Sequence, residues 1–156
     1  DTTDAVRALA RTLAGLTGVT ARGVDLENAI LGRLAAVRKS LGTRDGVSWV
    51  FVAQREPLLV AGTGSYVDGL LTSLGAQNVA AGVPGSWPTL SMETLLARDP
   101  DVILDGAMTA PGDFWERFPG LAAKVVRVTD TAVLRPGPRM PEALERLGGL
   151  LPVEGE

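Results

Sequence analysis

At 156 residues, with 46% hydrophobic and 21% charged residues, the chain has the composition of one globular domain or one domain with an appendage. A net charge of −3 gives no basic footprint for nucleic acid, and no apolar run reaches the ~20 residues of a membrane span. Cysteine and histidine are both absent, which excludes disulfides, thiolate catalysis and Cys or His metal sites and removes the commonest general base.

Residues 1–16 read as an amphipathic helix. Thr2 or Thr3 can cap it, and Val6, Leu9, Leu13 and Leu16 line one face. Gly15 and Gly18 end it. Asp25 can cap a second helix, whose stripe is Leu26, Ile30, Leu34, Val37 and Leu41 and whose stop is Gly42. Both helices precede any strand. They read as an appendage that packs on something, without chemistry of its own.

From Val47 the pattern changes. Val47 to Ala53 is a β-rich run, and Leu58 to Ala61 is a second one after a turn. Gly62-Thr-Gly-Ser-Tyr66 leads into a helix with Val67, Leu70, Leu71 and Leu74, ended by Gly75. Gln77 to Ala80 fits a short strand. Asp113 can cap a short helix holding Phe114 and Trp115, which Phe118-Pro-Gly120 breaks. Lys124 to Thr129 is a further strand. Asp130 to Arg139 is a proline-rich loop, and Pro141 opens a last helix with Leu144, Leu147, Leu150 and Leu151 on one side. Strands alternating with helices predict a mostly parallel sheet of four or five strands, covered on both faces in a three-layer α/β/α arrangement.

Trp87 to Asp105 is the most complete local design. Trp87-Pro88 is a stiff aromatic loop, because proline restricts its own φ and its predecessor's. Ser91 is a good N-cap, and Glu93 falls in the first turn, where the helix dipole favours an anion. Asp99-Pro100 ends the helix. Val102-Ile-Leu104 follows as a buried strand, and Asp105-Gly106 stops it at the end where ligands of α/β proteins gather.

Four features have both a functional and a plain reading. Gly62-Thr-Gly-Ser65 is either a phosphate cradle at a helix start or a tight connection; it lacks the third glycine of a dinucleotide fingerprint and the Lys of a P-loop. Ser65 lacks G-x-S-x-G spacing and any histidine base, which makes it a poor nucleophile candidate. The aromatics Tyr66, Trp87 and Trp115 are ligand platforms or core caps. Arg135-Pro-Gly-Pro-Arg139 is an anion clamp or a solvated loop. Glu93 needs no role beyond complementing the dipole.

Taken in order, these segments resemble the C-terminal part of the periplasmic metal-chelate receptors, the helical-backbone substrate-binding proteins of ABC importers for cobalamin, haem and ferric siderophores. The matching segments are Asp4 to Gly18, Asp25 to Leu41, Leu59 to Tyr66, Leu70 to Val79, Trp87 to Leu104 and Arg135 to Arg139. The resemblance implies that residues 1–42 are the end of a first lobe and an interlobe backbone helix. Residues 43–156 are then a C-terminal α/β lobe, and the family's N-terminal lobe lies outside this chain.

The resemblance also implies binding rather than catalysis: no catalytic residue, no cofactor, and a metal chelate as ligand. Trp87 resembles the stacking aromatic of cobalamin receptors, which favours a cobalamin-type corrinoid over haem or a siderophore. Glu93 resembles the surface acid that docks on the membrane permease. Arg135 falls near a ligand-contacting arginine, although its loop is longer by a residue. Gly64, Ser65, Tyr66 and Met108 are expected to complete the ligand wall. The expected location is periplasmic or extracytoplasmic, on a lipoprotein anchor. The uncovered interlobe surface predicts self-association. The competing class is a small nucleotide-binding enzyme domain using Gly62 to Ser65, and a third is a domain that only packs on a partner.

Overall fold

A computed structural model describes residues 20–110, 112–122, 124–130 and 137–153. The helix expected over residues 1–16, and Arg135, lie outside these.

The sheet is built around β1 (Ser48–Gln54). On one edge β1 pairs in parallel with β4 (Val102–Asp105), in the register Trp49↔Val102 to Val52↔Asp105. β5 (Val125–Arg127) then pairs in parallel with β4. The other edge of β1 is shared. β3 (Gln77–Asn78) pairs in parallel with its first half, and β2 (Leu59–Val60) pairs antiparallel with its second half. The five-stranded, mostly parallel sheet expected from the alternation of elements is therefore present.

The two faces of β1 seed two cores, because alternate side chains of a strand point to opposite sides. Trp49 and Phe51 enter one cluster, while Val50 and Val52 enter the other, and all four are fully buried. The first cluster is closed by Leu34 of α1 (Thr20–Leu41), by Tyr66, Val67, Leu70 and Leu71 of α2 (Tyr66–Leu71), and by Ala143, Leu144 and Leu147 of α5 (Met140–Gly148). The second is closed by Leu95 of α3 (Met92–Arg98), by Trp115, and by Leu121 of α4 (Pro119–Ala122). This gives the three layers. α1 packs on α5, and Arg33 pairs with Glu142 across them at 2.6 Å.

Several local expectations need correction. α1 extends back to Thr20, so Asp25 is inside the helix and caps nothing. Ala21 and Arg22 are good helix formers, and Gly23 costs only ~1 kcal/mol against Ala within a helix. Leu26 leaves the core stripe and is exposed, as is Leu150. Asp113 does not cap: the turn Trp115–Arg117 is a 3₁₀ helix with Phe114 at its cap position and no side-chain cap bond. The burial of Phe114 and Trp115 in the second core sets that turn. The short helix does end at Phe118, as expected, and Pro119 then starts α4, where its missing N–H costs nothing.

Candidate functional site

The glycine-rich loop after β2 is shaped by close approach. A Cβ on Gly62 would lie 2.5 Å from the carbonyl oxygen of Gly85 and 2.6 Å from Pro88, so only glycine fits there. Its N–H donates to the carbonyl of Ser86. Val60 N–H donates to Pro88 O, and Leu90 N–H to Leu58 O. The 86–90 segment is thereby laid antiparallel along β2, which fixes where Trp87 leaves the chain.

Ser65 caps α2, its hydroxyl accepting from Asp68 N–H at 3.1 Å. The Asp68 carboxylate turns back and accepts from Gly64 N–H at 2.9 Å and from the Asn78 amide at 2.9 Å. The phosphate-cradle reading of Gly62 to Ser65 requires the Gly64 N–H, and here that donor already serves an anion. A second anion beside Asp68 would be repelled. The loop is a tight, self-satisfied connection.

Trp87 stands 41% exposed at the head of this arrangement. It meets Phe51 edge to face, with ring centroids 6.5 Å apart and planes at 70°. Phe51 in turn lies against Gly106, whose absent Cβ would sit 2.3 Å from the ring. On the other flank, Ser86 neighbours Gly64. Trp87 and the loop after β4 therefore meet at the buried Phe51, at the C-terminal end of the parallel strands, where α/β sheets hold ligands.

The loop after β4 is held by a hub that local sequence patterns did not reveal. The Asp105 carboxylate is fully buried. Its Oδ2 accepts from Arg55 Nε at 3.0 Å, Arg55 Nη2 at 2.8 Å and the Trp115 indole N–H at 2.9 Å. Its Oδ1 accepts from Ala107 N–H and lies 3.3 Å from Arg127 Nη1. Both arginines reach on into the loop. Arg55 donates to the carbonyls of Thr109 and Ala110, and Arg127 to those of Ala107 and Thr109. Met108 is carried between these anchors, 78% exposed. Thr109 and Ala110 of this loop, with Arg55, Glu56, Phe114 and Arg117, line a concavity of about 500 Å³.

Of the sequence-predicted wall residues, Trp87, Gly64 and Met108 are exposed. Ser65 and Tyr66 are buried. The Ser65 hydroxyl is spent on the cap. Tyr66 packs in the first core, where burial, and next the charge of Glu142, push its phenol up to about 12. Trp115 is a core residue bound to Asp105. Glu93 is exposed in the first turn of α3, after the Ser91 cap whose hydroxyl accepts from Thr94 N–H at 3.0 Å.

The family model described as periplasmic binding protein matches residues 1–119. The chain belongs to that family. Periplasmic binding proteins of this family are solute-binding proteins. Among the relatives, the cobalamin-binding protein of Halobacterium salinarum is 25% identical over 150 residues, covering 87% of this chain and 41% of its own. The vitamin B12-binding protein of Pectobacterium carotovorum is 28% identical over 96 residues, covering 59% of this chain and 34% of its own. The chain thus spans between a third and two fifths of the length of these relatives.

Solved structures agree in fold. A possible iron-binding, periplasmic solute-binding protein of Staphylococcus epidermidis superposes with a TM-score of 0.82 at 20% identity, over 95% of this chain and 62% of its own. The periplasmic heme-binding protein RhuT of Roseiflexus gives 0.77 at 26% identity, over 95% and 62%. Among the described residues of this periplasmic binding protein chain, no helix is long and apolar enough to cross a membrane.

Proposed function

We propose that this chain supplies one wall of the ligand cleft in the substrate-binding component of an ABC importer, and that the ligand is a cobalamin-type corrinoid. The observation that carries the reading is Trp87. It is a half-exposed indole braced edge-on by a buried phenylalanine, at the strand ends of a lobe whose family binds solutes. An indole held this way offers wide apolar area at little entropic cost, which suits the face of a macrocycle. Gly64 and Met108 complete the wall in this reading, and Arg135 is the further ligand contact that the family resemblance implies. Ser65 and Tyr66 act from behind, as the cap and the packing of α2. Residues 1–42 act as the end of the first lobe and the interlobe helix, and a second lobe supplies the facing wall.

Delivery follows through Glu93, an exposed acid on α3 that docks on the permease. Charge pairs of this kind act on association and specificity. The receptor works outside the cytoplasm on a lipid anchor. Two of the relatives are named for cobalamin or vitamin B12, which supports the corrinoid. The likeness to a heme-binding protein favours haem as the second reading.

The test is a titration of the receptor containing this chain with cyanocobalamin, haemin and a ferric hydroxamate. Saturable binding of cyanocobalamin tighter than the other two supports the proposal. Preference for haemin transfers it to the second reading.

A further inference from the structure

We infer that Arg127 and Arg55, both pinned on the buried carboxylate of Asp105, are positioning residues: they fasten the Ala107–Ala110 loop and so set where Met108 stands on the proposed ligand face. The inference rests on the reading of that face given above, but its geometry is independent of any ligand.

Three observations carry it. First, Asp105 ends a strand of four fully or nearly fully buried residues; its side chain accepts from Arg55 and Trp115 and forms an ion pair with Arg127. A carboxylate in such a place is stable only when paired and hydrogen-bonded, so its partners are fixed by necessity. Second, the two guanidinium groups come from different strands, Arg55 from just beyond β1 and Arg127 from the end of β5. The loop is therefore tied to the strands on both sides of β4. Third, both arginines aim their remaining donors at loop carbonyls. Arg55 Nη1 reaches Thr109 O at 3.1 Å and Ala110 O at 3.2 Å, and Arg127 reaches Ala107 O at 2.8 Å and Thr109 O at 2.9 Å. Every carbonyl from 107 to 110 except that of Met108 is held this way. Met108 itself is left as the exposed point of a fastened loop.

A planar fork with five donors serves this purpose, and an ammonium does not. The arrangement makes the Met108 side of the wall pre-formed, so that ligand binding does not have to order it.

The experiment uses the 156-residue chain labelled with ¹³C at its methionine methyl groups. The sequence has three methionines, Met92, Met108 and Met140. Met140 is buried and Met92 partly so, so those two report on the body of the fold. Arg127→Gln is the main variant, because Arg127 is a third exposed and Asp105 keeps Arg55 and Trp115 without it. Arg55→Lys is the second.

The expected result is that the Met108 methyl signal moves toward its random-coil position and narrows in both variants, while Met92 and Met140 stay in place. An unchanged Met108 signal in both variants overturns the proposal. Movement of all three signals together overturns it as well, since that is general loosening. The reading of the ligand face fails separately: the unmodified receptor would then bind no chelate while the Met108 signature persisted.

Discussion

Trp87 rests edge-on against Phe51, with ring centroids 6.5 Å apart. One residue of the pair is 41% exposed and the other fully buried. The exposed indole is thus a continuation of the core rather than a loose loop residue. Its place depends on two glycines that lie far from it in sequence. Gly62 lets the 86–90 segment close on β2, and Gly106 leaves room for the Phe51 ring.

Gly106→Ala is expected to destabilise the fold by about 1–3 kcal/mol, the usual cost of forcing extra atoms into a packed core. The added methyl would meet the Phe51 ring at 2.3 Å, and both neighbours are buried. Urea denaturation measures this. A stability unchanged within ~0.5 kcal/mol would show that Phe51 moves freely, and the bracing of Trp87 would fall with it.

Tyr66 gives a prediction about pH. It is the only tyrosine in the chain, so its phenolate absorbance is unambiguous. Burial, and next the charge of Glu142, raise its phenol from 10.0 to about 12. Glu142 stays ionised there, since its own backbone N–H, and then Arg33, hold its carboxyl below the usual range. A raised folded-state value means that the neutral phenol stabilises the fold, fully so below pH 10. That contribution is lost as pH rises from about 10 to about 12, because the unfolded chain loses its proton first. Spectrophotometric titration should show no phenolate near pH 10 while the protein is folded. Among the described residues the Tyr66 hydroxyl has no hydrogen-bond partner. Tyr66→Phe should therefore match or exceed the parent in stability, by up to about 1 kcal/mol.

Much of the fold was legible because it is local. The Ser91 cap, the Asp99 stop and the apolar run of β4 follow from residues within a few positions of each other. The position of Trp87 on a loop was legible for the same reason. The Asp105 hub was only half legible. An acid closing an all-apolar strand was a visible signal, but Arg55 and Arg127 stand 50 and 22 positions away with no periodicity linking them to it. The burial of Tyr66 was missed because a tyrosine at a helix start reads equally well as wall or core. Its inward side is decided by α5 packing over α2. Asp25 misled as a cap because cap signals are local and the preceding turn was already helical.

For Glu93 the dipole reading and the docking reading predict different things. If the acid only complements the helix dipole, Glu93→Gln costs at most about 1 kcal/mol and changes nothing else. The docking reading predicts that Glu93→Arg leaves chelate affinity intact but sharply lowers uptake by receptor and permease reconstituted together, with charge reversal worse than Glu93→Gln. Wild-type uptake by Glu93→Arg would return Glu93 to an ordinary first-turn acid.

Val24 and Leu26 are large apolar side chains, each exposed near the start of α1 on a different side of the helix. Apolar patches left open favour association. The 156-residue chain on its own is expected to show a concentration-dependent rise in mass by light scattering, and Leu26→Lys is expected to suppress it. A constant monomer mass up to millimolar concentration would contradict this.

Trp87 is proposed as the stacking platform of the ligand wall. The most direct measurement is the affinity of the receptor containing this chain for cyanocobalamin, with and without Trp87→Ala, by calorimetric titration at matched stability. Trp87→Ala is expected to lose about 1–3 kcal/mol, roughly 5- to 150-fold in Kd, the scale of withdrawing one large aromatic face. An affinity unchanged by Trp87→Ala, for a receptor that does bind cyanocobalamin, would contradict it.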